Sequence, residues 1–196
     1  MLFEFSYKEA AQATIGRTLV TGQGQCVILR AKGFSRASND APLYKPMLEL
    51  RPGDVFTPRR RNAILLLTVC NDGSQSGGCV LIDAIEINGR VIEGPGRVSQ
   101  ALGLEIPKDP GRMVEREDGV LELRMSRLGS PKLPSQPVRK RNSNGLGDAA
   151  LAKHMPAIAK KFLKLPANGR SSFEEYLNKL LADCHDESML RRRLRV

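Results

Sequence analysis

At 196 residues the chain is long enough to bury one substantial core, and its 41% hydrophobic content is ordinary for a globular protein. Aromatics make up only 5%, with no Trp, which disfavours a surface built on stacked bases or sugars. No apolar run approaches the ~20 residues of a membrane span, and Met-Leu-Phe-Glu-Phe-Ser at the start lacks the charged and apolar regions of a secretory signal. The expectation is an intracellular chain that does not engage a membrane, its compartment undetermined. Net charge is +10, and its placement is uneven: residues 124–196 carry 16 Lys/Arg against 6 Asp/Glu, while residues 1–123 are balanced. Charge gathered in this way points to a polyanion, above all nucleic acid, as partner of the C-terminal part. Four cysteines without a C-x-x-C pair, and only two His, give no metal-ligand cluster and no cofactor; Cys26, Cys70, Cys79 and Cys184 read as buried reduced thiols.

Ser6 and Glu9 form a capping box ahead of an Ala-rich helix over residues 7–15, ending at Gly16. Leu19-Val20 and residues 26–29 read as strands joined by a turn at Gly22-Gln-Gly24, and the polar residues 33–48 as loop. Arg51-Pro-Gly-Asp54 is a turn into Val55-Phe56. Residues 63–70 and 79–87 are apolar runs of strand length, antiparallel neighbours across a flexible connection. Asn88-Gly89 turns the chain again. Gly94-Pro-Gly96 then enters a short helix: Pro95 suits its first turn, Val98, Ala101 and Leu102 share one face, and Arg97 and Gln100 point elsewhere. Residues 120–125 alternate as a further strand.

From residue 129 the composition turns Pro-, Ser- and Asn-rich, with Arg139-Lys140-Arg141, and reads as a linker or loop. Beyond it Asp148 starts a helix that Pro156 either kinks or restarts toward Leu165. Ser172 and Glu175 form a second capping box. Phe173, Tyr176, Leu177, Leu180 and Leu181 follow as an amphipathic stripe whose reading is a packing face, with docking of a protein partner as the alternative. Arg191-Arg192-Arg193 and Arg195 close the chain as a disordered basic end.

The segment Gly94-Pro-Gly-Arg-Val-Ser-Gln-Ala-Leu-Gly-Leu104 closely resembles the Gly-Pro-(Gly/Ser)-(Lys/Arg)-Leu-Cys-Gln-Ala-Leu-Gly-Ile segment of the methylpurine (3-methyladenine) DNA glycosylases. The residues from Ala10 to Val20 and from Gly78 to Glu86 look like that family's opening helix and strand and its Val-Leu-Ile strand. More loosely, Gly145 to Gly147 and Lys160 to Lys164 resemble its closing region. The resemblance covers about residues 8–165 in the right order. It implies a mixed α/β (α+β) fold, one domain around a curved antiparallel sheet. The organisation expected is a glycosylase-like core over 1–128, a basic linker over 129–146, and C-terminal helices with a basic tail over 147–196.

In that family a Glu activates water to cleave the N-glycosidic bond of a flipped alkylated purine, Tyr and His pack against the base, and a Tyr wedges into the duplex. The family's Glu falls at Arg30 and its stacking Tyr at Lys32; the Arg after the Val-Leu-Ile strand is Asp83. An Arg stays cationic at any working pH and cannot deprotonate water. The family's Tyr-rich strand either shrinks to Pro52-Gly-Asp-Val-Phe56, leaving Phe56 as platform or wedge, or is deleted, with residues 57–62 matching a Thr-Pro-Arg-Asn loop. Substitute carboxylates are Asp40, Glu49 and Asp54, each reading more simply as a surface acid. Asp83 and Glu86, on one strand, face opposite sides and do not pair. His154 and His185 read as surface residues.

The resemblance thus implies a DNA N-glycosylase ancestry with a degenerate centre. The family activity is excision of alkylated purines in base-excision repair. The alternative is a non-catalytic DNA- or RNA-binding protein on the same fold, such as a ribonucleoprotein or ribosome subunit. Nucleic-acid contacts are expected from Gly94, Pro95, Gly96, Arg97 and Gln100, from Arg59, Arg60 and Arg61, from Phe56, from Arg139, Lys140 and Arg141, and from Arg191 to Arg193.

Overall fold

The computed structural model describes residues 6–35, 52–56, 66–69, 78–104, 111–125, 147–168 and 170–194. Asp40, Glu49, Arg59, Arg60, Arg61, Cys70, Arg139, Lys140, Arg141 and Arg195 lie outside them, as does the side chain of Phe56. The described residues hold eight strands: β1 (Thr18–Thr21), β2 (Gly24–Ser35), β3 (Asp54–Phe56), β4 (Leu66–Val69), β5 (Gly78–Ile87), β6 (Arg90–Glu93), β7 (Gly111–Glu115) and β8 (Leu121–Met125). They also hold five helices: α1 (Tyr7–Thr14), α2 (Pro95–Ala101), α3 (Asp148–Leu163), α4 (Phe173–Ala182) and α5 (Glu187–Leu194). The fold is mixed α/β, as expected.

The strands form one curled sheet in the order β2-β1-β8-β7-β3-β4-β5-β6, and β5 pairs back onto β2. All pairings are antiparallel except β1 with β8. β5 can serve three neighbours because β4 takes the first half of one edge and β6 the second, leaving the other edge to β2.

Two apolar clusters flank this sheet. Cys26 and Ile28 of β2, Val80, Ile82 and Ile85 of β5, and Leu121 and Leu123 of β8 join α1 and α2 in the first. Leu29 and Ala84 face the second, which α3, α4 and α5 build with Met155, Ile158, Phe162, Phe173 and Leu177. A strand buried on both faces reads as a continuous apolar run, as residues 26–29 and 79–82 do, and Asp83 interrupts the second.

α1 begins at the reciprocal Ser6–Glu9 capping box, with Glu9 N–H donating to Ser6 Oγ (3.3 Å) and Ser6 N–H to the Glu9 carboxylate (3.1 Å). At α4 only half of the expected box forms: Ser172 Oγ accepts from Glu175 N–H (3.2 Å). The stripe on α4 packs inward, with Phe173 and Leu177 fully buried, so it is a packing face and no docking site for a partner. Gly33 sits where a Cβ would collide with the Tyr7 carbonyl, which fixes how closely α1 approaches β2.

Several expectations need correction. β2 runs to Ser35, so the loop does not start at residue 33. Strands β6 and β7 fall where the sequence shows no strand signal, β6 through the Asn88-Gly89 turn with both residues at positive φ (51° and 71°). Asp54 is the first residue of β3, paired opposite Arg112, and not part of the turn. Gly147, not Asp148, is the N-cap of α3, which runs unbroken through Pro156. The Arg191–Arg193 run is helical, not a disordered end. Asp186 Oδ1 caps α5 at Met189 N–H (2.8 Å), Leu190 is buried, and Lys161 Nζ caps the far end at the Arg193 carbonyl.

Candidate functional site

Arg30, Lys32, Asp83, Glu93 and the Gly94-Pro95-Gly96 turn come together although three separate stretches of sequence supply them. The cause is a defect in the β2–β5 ladder. Ile28 pairs with Ile85, Arg30 with Ala84 and Ala31 with Ile82, so Leu29 and Asp83 stand outside the register. Bulges of this kind re-aim side chains. Here the Asp83 carboxylate swings onto the two cations of β2. Its Oδ2 accepts from Arg30 Nε and Lys32 Nζ, each at 2.9 Å. Arg30 reaches on to Glu93 of β6 through Nη1 (2.9 Å).

The turn is tied to the same point. Gly94 N–H donates to the Asp83 carbonyl (2.8 Å). Gly94 sits at φ 98° as N-cap of α2, with Pro95 in the first turn where it lacks no needed N–H. Nothing lies within 4 Å of where its Cβ would stand, so this glycine serves backbone conformation and not close approach to another surface. Val98 and Leu102 are fully buried and Ala101 partly so, while Arg97 and Gln100 are exposed, as the spacing predicted.

The electrostatics of the cluster are those of a closed account: two cations against two carboxylates. Asp83 is 6% exposed at its side chain, Arg30 37% and Lys32 57%. Burial alone would raise the Asp83 pKa, but hydrogen bonds and charge from Arg30 and Lys32 outweigh it and hold the carboxylate below its ordinary range. A carboxylate so held stays ionised and is a weak base toward water near neutral pH.

Sequence reasoning placed Arg30, Lys32 and Asp83 at family positions but did not foresee that they meet, and it missed Glu93 altogether. Asp83 and Glu86 indeed do not pair. Glu86 is buried and accepts the backbone N–H of Phe173 (2.6 Å) at the start of α4. Asp54 and Phe56 lie on β3, two strands beyond β5 in the ring. His154 is not a surface residue: its ring is 14% exposed and bonds Glu187 of α5 (2.9 Å). His185 is exposed.

Among the described residues Cys26, Cys79 and Cys184 are buried, and burial pushes the Cys26 thiol up to about 12. No group of three or more His, Cys, Asp or Glu among them could hold a metal ion. No helix there is long and apolar enough to cross a membrane. Compared with known proteins, the chain matches no family model, no curated protein and no solved structure.

Proposed function

We propose that this chain is a diverged relative of the methylpurine DNA glycosylases that binds nucleic acid and no longer excises bases. The observation that carries the reading is the Arg30–Asp83 pair. Where the resemblance aligns the family's Glu and Arg, this chain has Arg and Asp, hydrogen-bonded across β2 and β5 at 2.9 Å. The acid and the base have changed strands. The surviving carboxylate is engaged by two cations instead of facing a water. Lys32 at the stacking position offers no flat ring to hold a flipped base. Support also comes from the Gly-Pro-Gly helix start beside this pair, from the curled antiparallel sheet, and from the excess of Lys and Arg after residue 124.

The purified chain incubated with duplexes bearing 3-methyladenine or hypoxanthine is expected to leave no abasic sites above background while retarding the same duplexes in a gel. Abasic sites formed at a rate that Asp83→Asn abolishes would show a working centre built on the relocated acid and would end the non-catalytic reading. Retention of structured RNA over duplex DNA in the same gels would favour the ribonucleoprotein alternative.

A further inference from the structure

We infer that the outer helical layer, and not the Gly-Pro-Gly face, grips nucleic acid, and that it holds the phosphate backbone of a duplex without reading bases. The inference rests on the nucleic-acid reading above and gives it a surface. α3 shows Lys153, Lys160 and its C-cap Lys164 at i, i+7 and i+11, all exposed on one side of the helix. Ala157 lies between them, exposed and too short to hold a backbone away. α5 lies alongside in the same direction, because His154 meets Glu187 and Lys161 meets the Arg193 carbonyl. The last turns of both helices therefore coincide, and Lys160, Lys164, Arg192 and Arg193 gather at one end.

That concentration exceeds what the helices themselves require. Two helix C-termini present about half a negative charge each. Lys160, Lys161, Lys164, Arg192 and Arg193 bring five positive charges, and Asp183 answers one of them through Arg193 (3.2 Å). Among the described residues no carboxylate lies within ion-pair distance of Lys160, Lys164 or Arg192. By contrast, Arg30 and Lys32 near the Gly-Pro-Gly turn are already engaged by Asp83 and Glu93.

The rest of the patch decides the class of polyanion. An interfacial membrane helix must have an apolar face to insert. On α5 that face is used internally: Leu190 is buried and Leu194 packs on the same cluster. Single-stranded binding relies on aromatic platforms. In this layer Phe162 packs edge-on against the buried Phe173 and at a tilt against the partly buried Tyr176. What remains outward is mainly charge, with Met189 and Ala157 as isolated exposed apolar side chains, and charge suits the regularly spaced phosphates of a duplex.

The test follows binding of the full chain to a fluorescein-labelled duplex of mixed sequence by anisotropy, across salt. For the K160A/K164A/R192A variant the log–log salt slope is expected to be shallower by about 2.7, at ~0.9 per lost phosphate contact. Between about 50 and about 200 mM salt the wild type then loses about 40-fold more affinity than the variant. R97A is expected to keep the wild-type slope. An unchanged slope in the folded triple variant, with a shallower one in R97A, would move the grip to the Gly-Pro-Gly face and overturn the inference. Absence of duplex binding by the wild type at low salt would instead overturn the nucleic-acid reading itself. Binding to phosphatidylserine vesicles but not to duplex, lost in the triple variant, would assign the patch to a membrane and overturn it too. Acetic anhydride labelling of the wild type supplies a readout independent of the variants' folding. Protection of Lys160 and Lys164 by duplex supports the inference, and equal labelling with and without duplex contradicts it.

Discussion

Glu86 is a buried acid with no ion pair among the described residues, although Arg170 lies near enough to attract it. Its Oε2 accepts the N–H of Phe173, the first residue of α4, at 2.6 Å. Burial is the main cause that raises its pKa above the ordinary value, and the acids Glu174 and Glu175 add to it. A raised folded pKa means the ionised form is disfavoured by folding, so this residue weakens the fold as pH rises through that value. Glu86→Gln keeps an acceptor for Phe173 and discards the charge. It is expected to match or exceed the wild type in thermal stability at pH 7. Glu86→Ala leaves the N–H unmet in the core and is expected to cost about 1–3 kcal/mol. Paired urea melts separate the two, and an Ala variant as stable as the Gln variant would show that the contact contributes nothing.

Arg30 and Asp83 allow the complementary experiment on a pair. R30E places a third acid beside Asp83 and Glu93 and leaves the nearly buried Asp83 carboxylate with Lys32 as its one remaining cation, a loss of about 2 kcal/mol. That figure stays below the ~3–5 of a fully buried pair because Arg30 is partly exposed. D83R in the same chain restores opposite charges across the bulge and is expected to recover more than half of that loss. Additive melts for the double variant would show that the two side chains do not interact in solution.

At the scale of elements, legibility followed locality. The Ser6 box, the β1–β2 turn and the α4 stripe are written within a few residues, and each stood where the spacing put it. β6 and β7 were unreadable because short strands of mixed polarity owe their conformation to partners, β5 for one and β3 and β8 for the other. α5 was read as a tail because its run of Arg hides an i, i+4 apolar pair, Leu190 and Leu194. Glu187 is what fastens it. Hydrogen bonds from His154 and Arg191 lower its pKa from 4.5 to about 2, with Lys153 at 3.9 Å. A depressed folded pKa stabilises above the unfolded value and is lost as pH falls through the folded one. The melting-temperature gap between the wild type and Glu187→Gln is therefore expected to be full above pH 4.5 and to close toward pH 2. A gap that persists at pH 2 would mean that Glu187 acts through something other than its charge, and no gap at any pH would mean that α5 is held by its leucines alone.

For the molecule as a whole, the sequence shows where charge and apolar runs lie but not that the chain curls until β5 meets β2. That pairing joins residues from 43 (Ser35 and Gly78) to 61 (Cys26 and Ile87) positions apart and slips in register at Arg30, and both depend on the packed sheet, not on local pattern. Arg30, Lys32, Asp83 and the Gly-Pro-Gly turn were thus visible one by one, while Glu93 and the meeting of all of them were not. The same pairing explains why the C-terminal helices belong to the fold despite the Pro-rich stretch before them. Val27 and Leu29 of β2 and Ala84 of β5 turn away from the first cluster, and among the described residues α3, α4 and α5 supply most of what covers them, with Ile15 and Val91 at the edge. Removing residues 168–196 would uncover Phe162, which lies against Phe173 and Tyr176, and would take from Glu86 the N–H it accepts. Fully burying one such side chain is worth about 1.5–3 kcal/mol, so losing several exceeds what a domain of this size can spare. The truncated chain is expected to lose its cooperative melt and to elute as aggregate in size-exclusion chromatography. A monomer with the wild-type melting temperature would mean that the helices ride on the sheet without supporting it, and that their cationic side could be moved without cost to the fold.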